Sequence, residues 1–500
     1  MAEGEHGVVA AGHPLTAQAG ACVLREGGNA VDAALGAMLM SFAAEPLLTG
    51  LGAGGYMLVA GGGREPALLD FFVQAPSDRR ASDVAIESVA ELEPVDVSFG
   101  DAAQVFHIGP ASCGSYGVPA GVCEAARRWG TIALEELVAP AARLAREGVA
   151  LNHGQAYVAE ILADLLTSTP ECAALWAPGG HVLREGEVLR NPELGDALEL
   201  LAGDGPDPFY CGEVARAVCD WLRARGGWLS PADLAGYRAI ERVPVAIDYR
   251  NRVVLTNPPP SAGGTLLAYA LALLDRGPSP PTLRGVVEAM GAAQDERTPQ
   301  FLEGLGEDGF LERFLATRLG ATTHISVLDA EGCACSVTCT NGEGSGIVVP
   351  GTGIHLNNVM GEEDLNPYGF HLHPAGRRMP SMMAPSIVLR DGEVELVLGS
   401  AGSNRIRSAL LQTIVGAVDH DRSAREAVDA PRVHLEAGVL YAEPGIAPDA
   451  LAQAGAAHAG EIVRFAELNL FFGGVQAIRR RGRLLAGAGD PRRGGVAASA

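Results

Sequence analysis

Residues 322–340 read TTHISVLDAEGCACSVTCT, two runs rich in Thr, Ile, Val and small residues on either side of Ala330-Glu331-Gly332. Such residues suit a pleated surface, so the plain reading is a β-hairpin. Gly332 provides the left-handed position that a three-residue hairpin loop favours, and that loop sets Asp329 opposite Cys333. Counting outward, Thr322 then faces Thr340, with Cβ atoms about 5 Å apart. A two-residue loop would set Cys339 there instead, and the pattern alone leaves both registers open.

Thr322 also supports a chemical reading. A threonine hydroxyl is a poor nucleophile because it keeps its proton at neutral pH. An α-amino group, with a pKa of about 7.7–8.0, is partly neutral there and can take the proton from the hydroxyl of its own residue. A chain cut before Thr322 would create that pairing without a histidine. Its target would be an acyl carbon, giving an ester that water or an amine resolves. Developing negative charge then needs donors, and residues 396–406, LVLGSAGSNRI, end a strand in small residues whose backbone N–H groups suit that role.

Composition narrows the rest. With 48% hydrophobic and 19% charged residues in 500, the chain is that of a globular protein with a sizeable core. Acidic residues outnumber basic ones 60 to 37, a formal charge of -23. This predicts no surface for nucleic acid or anionic membrane and makes a small molecule the expected partner. All 37 basic residues are arginine, which excludes lysine Schiff bases, lysine-anchored pyridoxal phosphate, Ser-Lys catalysis and the P-loop lysine. The nine cysteines are odd in number, which argues against a disulfide framework. Cys333, Cys335 and Cys339 lack a fourth ligand at zinc spacing, so no metal and no other cofactor is expected, and these thiols read as buried and reduced. Residues 1–20 carry acidic residues where a signal peptide needs positive charge, and the apolar run 33–44 is too short to cross a bilayer, so a cytoplasmic protein is expected.

Along the chain, residues 15–44 read as helix ending at Glu45-Pro46. GLGAGG at 50–55 follows a helix and feeds a strand, the reverse of the order that puts a pyrophosphate on a helix N-terminus. Residues 120–245 are helix-rich, with apolar positions three and four apart in EAARRWG, LEELVAPAARLAREG and EVARAVCDWLRARGG. TNPPPSAGG, 256–264, reads as a rigid turn into an apolar helix, and 275–321 as surface loop or short helices. Strands follow, which predicts helical layers packed on an antiparallel sheet core.

Seven stretches, HPLTAQAGACVLREGGNAVDAALGA, FYCGEVARAV, DLAGYR, NPPPSAGG, TTHISVLDAEG, PGTGIHLNN and GAGDPRRGG, together resemble in content and order the γ-glutamyltransferase family of N-terminal-nucleophile hydrolases. The resemblance implies an α+β fold, a four-layer αββα sandwich built jointly by two subunits. It implies a precursor that cuts itself between Ala321 and Thr322 into a large subunit, 1–321, and a small one, 322–500, paired as a heterodimer, with higher assembly left open. It assigns Thr322 as nucleophile and Thr340 as the threonine that hydrogen-bonds it. Gly402 and Ser403 fall at the family's paired glycines, whose backbone forms the oxyanion hole. His324 belongs to the motif and reads as structural.

The substrate side departs from the family pattern. Where glutamate-recognising members carry an arginine for the substrate carboxylate, DFFVQAP at 70–76 has Phe72, with Val73 in place of the next glutamate. Losing a guanidinium clamp removes strong, charge-assisted hydrogen bonds. After LNN, Val359 and Glu362 replace a polar residue and an aspartate, and the serine pair becomes Ser381-Met382, while Asn341 is kept. These changes point to an acyl or dicarboxylate substrate other than a simple γ-glutamyl compound. The alternatives are a C–C bond hydrolase of an antibiotic pathway that removes an oxalyl-type unit, a conventional γ-glutamyl hydrolase or transferase using glutathione, and a non-catalytic binding protein of the same fold.

Overall fold

The computed structural model describes residues 4–77, 91–98, 103–295, 323–366, 369–458 and 460–500. Ala321 and Thr322 lie outside the described residues. The elements of the central layers are, in chain order, β1 (Gly7–Ala11), α1 (Pro14–Arg25), α2 (Ala30–Ala44), β2 (Gly54–Gly61) and β3 (Arg64–Phe71). Then come β4 (Ile240–Arg242), β5 (Val245–Tyr249), β6 (Arg252–Thr256), α3 (Ala262–Asp275) and α4 (Leu283–Asp295). The last set is β7 (Thr323–Asp329), β8 (Cys333–Thr340), β9 (Ser386–Arg390), β10 (Glu393–Ala401), α5 (Arg405–Val418), β11 (Gly474–Arg481), β12 (Leu484–Ala488) and β13 (Val496–Ser499).

Two antiparallel sheets form the centre. One runs β13-β1-β7-β8-β2-β3-β4 and the other β12-β11-β10-β9-β6-β5. Val8, Leu58, Leu328 and Ala334 of the first meet Leu255, Ile387, Val397 and Ile478 of the second in an apolar layer between them. α1 and α2 cover the outer face of the first sheet through residues such as Leu35 and Leu39 against Val59 and Val327. α3 and α5 cover the second through Leu266 and Leu410 against Val388 and Leu396. The result is the αββα sandwich expected. Because both faces are covered, β7 and β8 are buried at every residue, and successive side chains alternate between the helix layer and the inter-sheet layer.

The β7–β8 hairpin takes the three-residue loop: Thr323 pairs with Cys339 and Leu328 with Ala334, with Gly332 at φ +83°. The Asp329 carboxylate accepts from the Cys333 N–H at 2.8 Å and from the Ala30 N–H, at the start of α2, at 3.0 Å. The hairpin is thereby tied to the helix that covers it.

Two expectations change. Residues 15–44 form two helices, not one, because Gly27 turns the chain at φ +93° and Asn29 caps a new helix, its side chain accepting from Val31 and Asp32. Within 275–321, residues 283–295 form the thirteen-residue helix α4, which buries Val286, Val287 and Met290 against the second sheet's helices. The helix-rich middle is as read, with helices Val118–Trp129, Leu134–Glu147 and Glu213–Arg223. The helix, glycine loop, strand order at 44–54 also holds; a Cβ on Gly54 would lie 2.6 Å from the Val73 nitrogen, so these glycines serve close backbone packing.

Candidate active site

Even-numbered residues of β8 face the inter-sheet layer, as Ala334 does, and Thr340 ends the strand on that face. Gly402 directly follows β10 in the opposing sheet. Here the sandwich opens into a cavity of about 70 Å³ lined by Thr340, Gly402 and Ser403. Two successive positive φ angles, +115° at Gly402 and +50° at Ser403, turn the chain from β10 into α5. Glycine accepts that geometry freely, whereas serine adopts it under strain.

The loop after Thr340 is tightly held. The Thr340 hydroxyl oxygen accepts from the Gly342 N–H at 2.8 Å. Asn341 donates its backbone N–H to Leu48 O at 3.1 Å and its Nδ2 to His355 O at 3.0 Å. Its Oδ1 is buried without a partner among the described residues. Gly342, at φ +66°, is pressed against the side chains of Asn358 and Glu362, which leave no room for a Cβ. Asn341 and Glu362 therefore adjoin the loop that carries Thr340.

The other substrate-side residues are packed in the interior. Phe72 is fully buried and stacks on Tyr56, ring centroids 5.6 Å apart, while its carbonyl accepts from the Tyr237 hydroxyl at 2.7 Å. The Ser381 carbonyl accepts from the Ala262 and Gly263 N–H groups at the start of α3, and its Oγ accepts from the Met383 N–H at 3.0 Å. Met382 packs in the core beside Ala262 and Leu266. None of these three lines the cavity.

His324 joins the two sheets. Its Nδ1 lies 2.8 Å from Thr338 Oγ1 and its Nε2 2.9 Å from Ser326 Oγ. Ser326 and Ser336 donate across the layer to the carbonyls of Gln476 and Leu398 at 3.0 and 3.1 Å. Burial lowers the imidazole pKa to about 3, so the ring is neutral. Cys333, Cys335 and Cys339 are buried free thiols, and burial pushes Cys339 up to about 12. Among the described residues no His, Cys, Asp and Glu group is arranged to hold a metal, and no helix is long and apolar enough to cross a membrane.

Sequence reasoning missed part of the cavity wall. Glu343, Arg405 and Arg493 line it, with Leu47, Leu48 and Val158 as its apolar side. Arg493 lies inside GAGDPRRGG and Arg405 two residues after Ser403, so position offered a signal for both. The apolar residues come from distant segments and offered none.

Comparisons with known proteins bear on the family and the fold. The family model for gamma-glutamyltranspeptidase matches residues 16–315 and 312–500. The acylase ACY 1 proenzyme of Pseudomonas sp. (strain SE83) is 33% identical, over 95% of this chain and 90% of that protein. The glutathione hydrolase proenzyme of Escherichia coli (strain K12) is 31% identical, over 89% of this chain and 84% of that protein. The crystal structure of cephalosporin acylase from Bacillus halodurans superposes with a TM-score of 0.84 at 26% identity, covering all of this chain and 96% of that one. Matched from residue 16 to residue 500 by one family model and folded into the sandwich that its motifs imply, the chain belongs to the gamma-glutamyltranspeptidase family of N-terminal-nucleophile hydrolases.

Proposed function

We propose that the protein cuts its own chain between Ala321 and Thr322 and then works as a threonine acylase, hydrolysing an amide of a small acyl group other than γ-glutamyl. The new α-amino group of Thr322 takes the proton from its own hydroxyl, whose oxygen attacks the acyl carbonyl. Gly402 and Ser403 supply the donors for the resulting oxyanion. Collapse expels the amine, which takes the proton, and water then hydrolyses the ester under the same base.

The observation that carries the reading is the hairpin register. With Thr323 opposite Cys339, a strand continued by one residue would bring position 322 to Thr340, on the wall that Thr340 shares with Gly402 and Ser403. The acylase of Pseudomonas sp., similar over nearly the whole chain, supports amide hydrolysis. A denaturing gel with mass spectrometry tests it: the mature protein should give two fragments, the smaller beginning Thr-Thr-His, and Thr322→Ala should stay whole. Efficient cutting in that variant, or turnover by an uncut chain, would sink the mechanism.

Conventional glutathione hydrolysis is the second reading, favoured by the Escherichia coli relative. Against it stands Phe72, an uncharged, fully buried ring where the family's pattern has its carboxylate-binding arginine. A γ-glutamyl anilide turned over faster than other acyl anilides would make it the better account.

A further inference from the structure

Helix α5 begins at Arg405, and Asn404 stands at its N-cap position. An asparagine there ordinarily turns its side-chain oxygen onto the first N–H groups of its own helix. Asn404 makes no such cap; its Nδ2 instead donates to Glu436 Oε1 at 2.5 Å. Glu436 ends the short strand Val433–Glu436, and its other oxygen, Oε2, lies 3.2 Å from His434 Nε2. His434 Nδ1 in turn lies 2.9 Å from Ser408 Oγ, back on α5. Four side chains thus form one hydrogen-bonded relay that leaves the helix at Ser408 and returns to its start at Asn404. Asn404, Ser408 and His434 are buried, and Glu436 is partly exposed.

The order of protons along the relay is fixed. Burial lowers the His434 imidazole further than Glu436 raises it, so the ring is neutral. Burial raises the Glu436 carboxyl, but the hydrogen bond to His434 and the nearby charges of Arg405 and Arg407 outweigh it and set its pKa at about 2. The ionised carboxylate therefore accepts from Nε2–H and from the Asn404 amide, and Nδ1 accepts from the Ser408 hydroxyl. Ser, His and Glu have the parts of a nucleophilic triad. However, the void that Ser408 lines is about 10 Å³, at the lower limit for a single water, so the relay holds rather than attacks. The strand that carries His434 and Glu436 is itself bound to α5: Val433 N–H donates to Gln412 Oε1, and Gln412 Nε2 to Val433 O, both at 2.9 Å.

What it holds is the turn in front of α5. Arg405 N–H donates to Gly402 O at 3.0 Å and Ile406 N–H to Ser403 O at 3.1 Å, while Ser403 keeps φ +50°, a conformation that persists only where its surroundings enforce it. We propose that Glu436, oriented by His434 and Ser408, is a positioning residue for the oxyanion site: it pins the Asn404 amide and so fixes the left-handed Ser403, whose N–H must point at the reacting carbonyl oxygen. This rests on the acylase reading above, in which Gly402 and Ser403 supply the donors. Such donors lower a barrier most when they are aimed before the charge develops. Without the pin, Ser403 relaxes toward negative φ and carries its N–H away from the acyl carbon's oxygen.

Two measurements test this: steady-state kinetics with whichever of the acetyl, glutaryl and γ-glutamyl p-nitroanilides the parent turns over fastest, and inhibition by butylboronic acid, which becomes tetrahedral on the Thr322 hydroxyl. Asn404→Ala should lower kcat about tenfold or more while KM stays within about twofold, the pattern of an interaction made only in the transition state. Affinity for butylboronic acid should fall by the same factor as kcat/KM. Asn404→Asp, equal in size and set against the Glu436 carboxylate, should do the same without leaving a gap. Glu436→Ala should match Asn404→Ala, and the double variant should be no slower than either single one. Glu436→Gln, which keeps an oxygen for Asn404, should recover most of the rate. A parent-like kcat in both Asn404 variants, a loss confined to KM, or losses that multiply in the double variant would overturn the proposal and leave the acylase reading intact. A parent that turns over no anilide and takes up no boronate would refute that reading, and the relay's role with it.

Discussion

Ser403 holds a left-handed backbone, φ +50°, that costs an L residue about 1–2 kcal/mol. Strain of this kind persists only where surrounding structure enforces it, and here β10 and α5 fix both ends of the turn. Thr340 and Asn341 show the same economy of freedom, each held by backbone partners at the cavity edge. Glu45, which lines a second cavity with Leu47 and Leu48, is the residue whose chemistry reaches furthest into stability. It is buried, accepts from the Thr16 hydroxyl at 2.6 Å, and burial raises its pKa from 4.5 to about 7. The folded state therefore binds this proton more readily than the unfolded one. Its contribution is fully present below pH 4.5 and is lost as pH rises through about 7, amounting to about 3 kcal/mol. In urea unfolding across that range, Glu45→Gln should show a distinctly smaller loss of stability with rising pH than the parent. Identical slopes would mean that the carboxyl titrates normally.

The β7–β8 hairpin is the element on which the site depends, and most of it is legible in TTHISVLDAEGCACSVTCT. Gly332 marks the loop, and β-branched residues mark the strands. The choice between a three- and a two-residue loop was not legible, because both satisfy the alternation; Asp329, bonded to Cys333 and to the start of α2, closes that choice through a contact from 299 residues away. The break between α1 and α2 was written in Gly27-Gly28-Asn29 and is a local signal passed over. α4 was not legible as a buried helix until its partners in the second layer were in place. His324 shows how two elements are fitted: its ring lies on Gly399 of β10, with no space for a Cβ between them. Gly399→Ala should destabilise the fold by about 2 kcal/mol or more through overpacking, read as a lowered unfolding midpoint in denaturant. A midpoint equal to the parent's would show that the sheets can part at that point without cost.

At the scale of the molecule, chain from before and after position 322 is interleaved. In the first sheet β7 and β8 sit between β1 and β2, and in the second β9 sits beside β6. A cut before Thr322 should therefore leave one particle: gel filtration should give a single peak at the volume of the uncut variant although a denaturing gel shows two bands. Separation of the fragments without denaturant would contradict this pairing. Sequence by itself determined the layer composition, the hairpin, the family and the residue types for acyl chemistry, because propensity, turn residues and ordered motifs are local properties of the chain. Only the tertiary structure decided that Thr340, Gly402 and Ser403 share one wall, that Phe72 and Met382 are packed in the core without lining it, and that Glu343, Arg405 and Arg493 complete it. Those are matters of which distant backbone segments meet, and of which charges find partners when water is excluded, and no spacing along the chain encodes either.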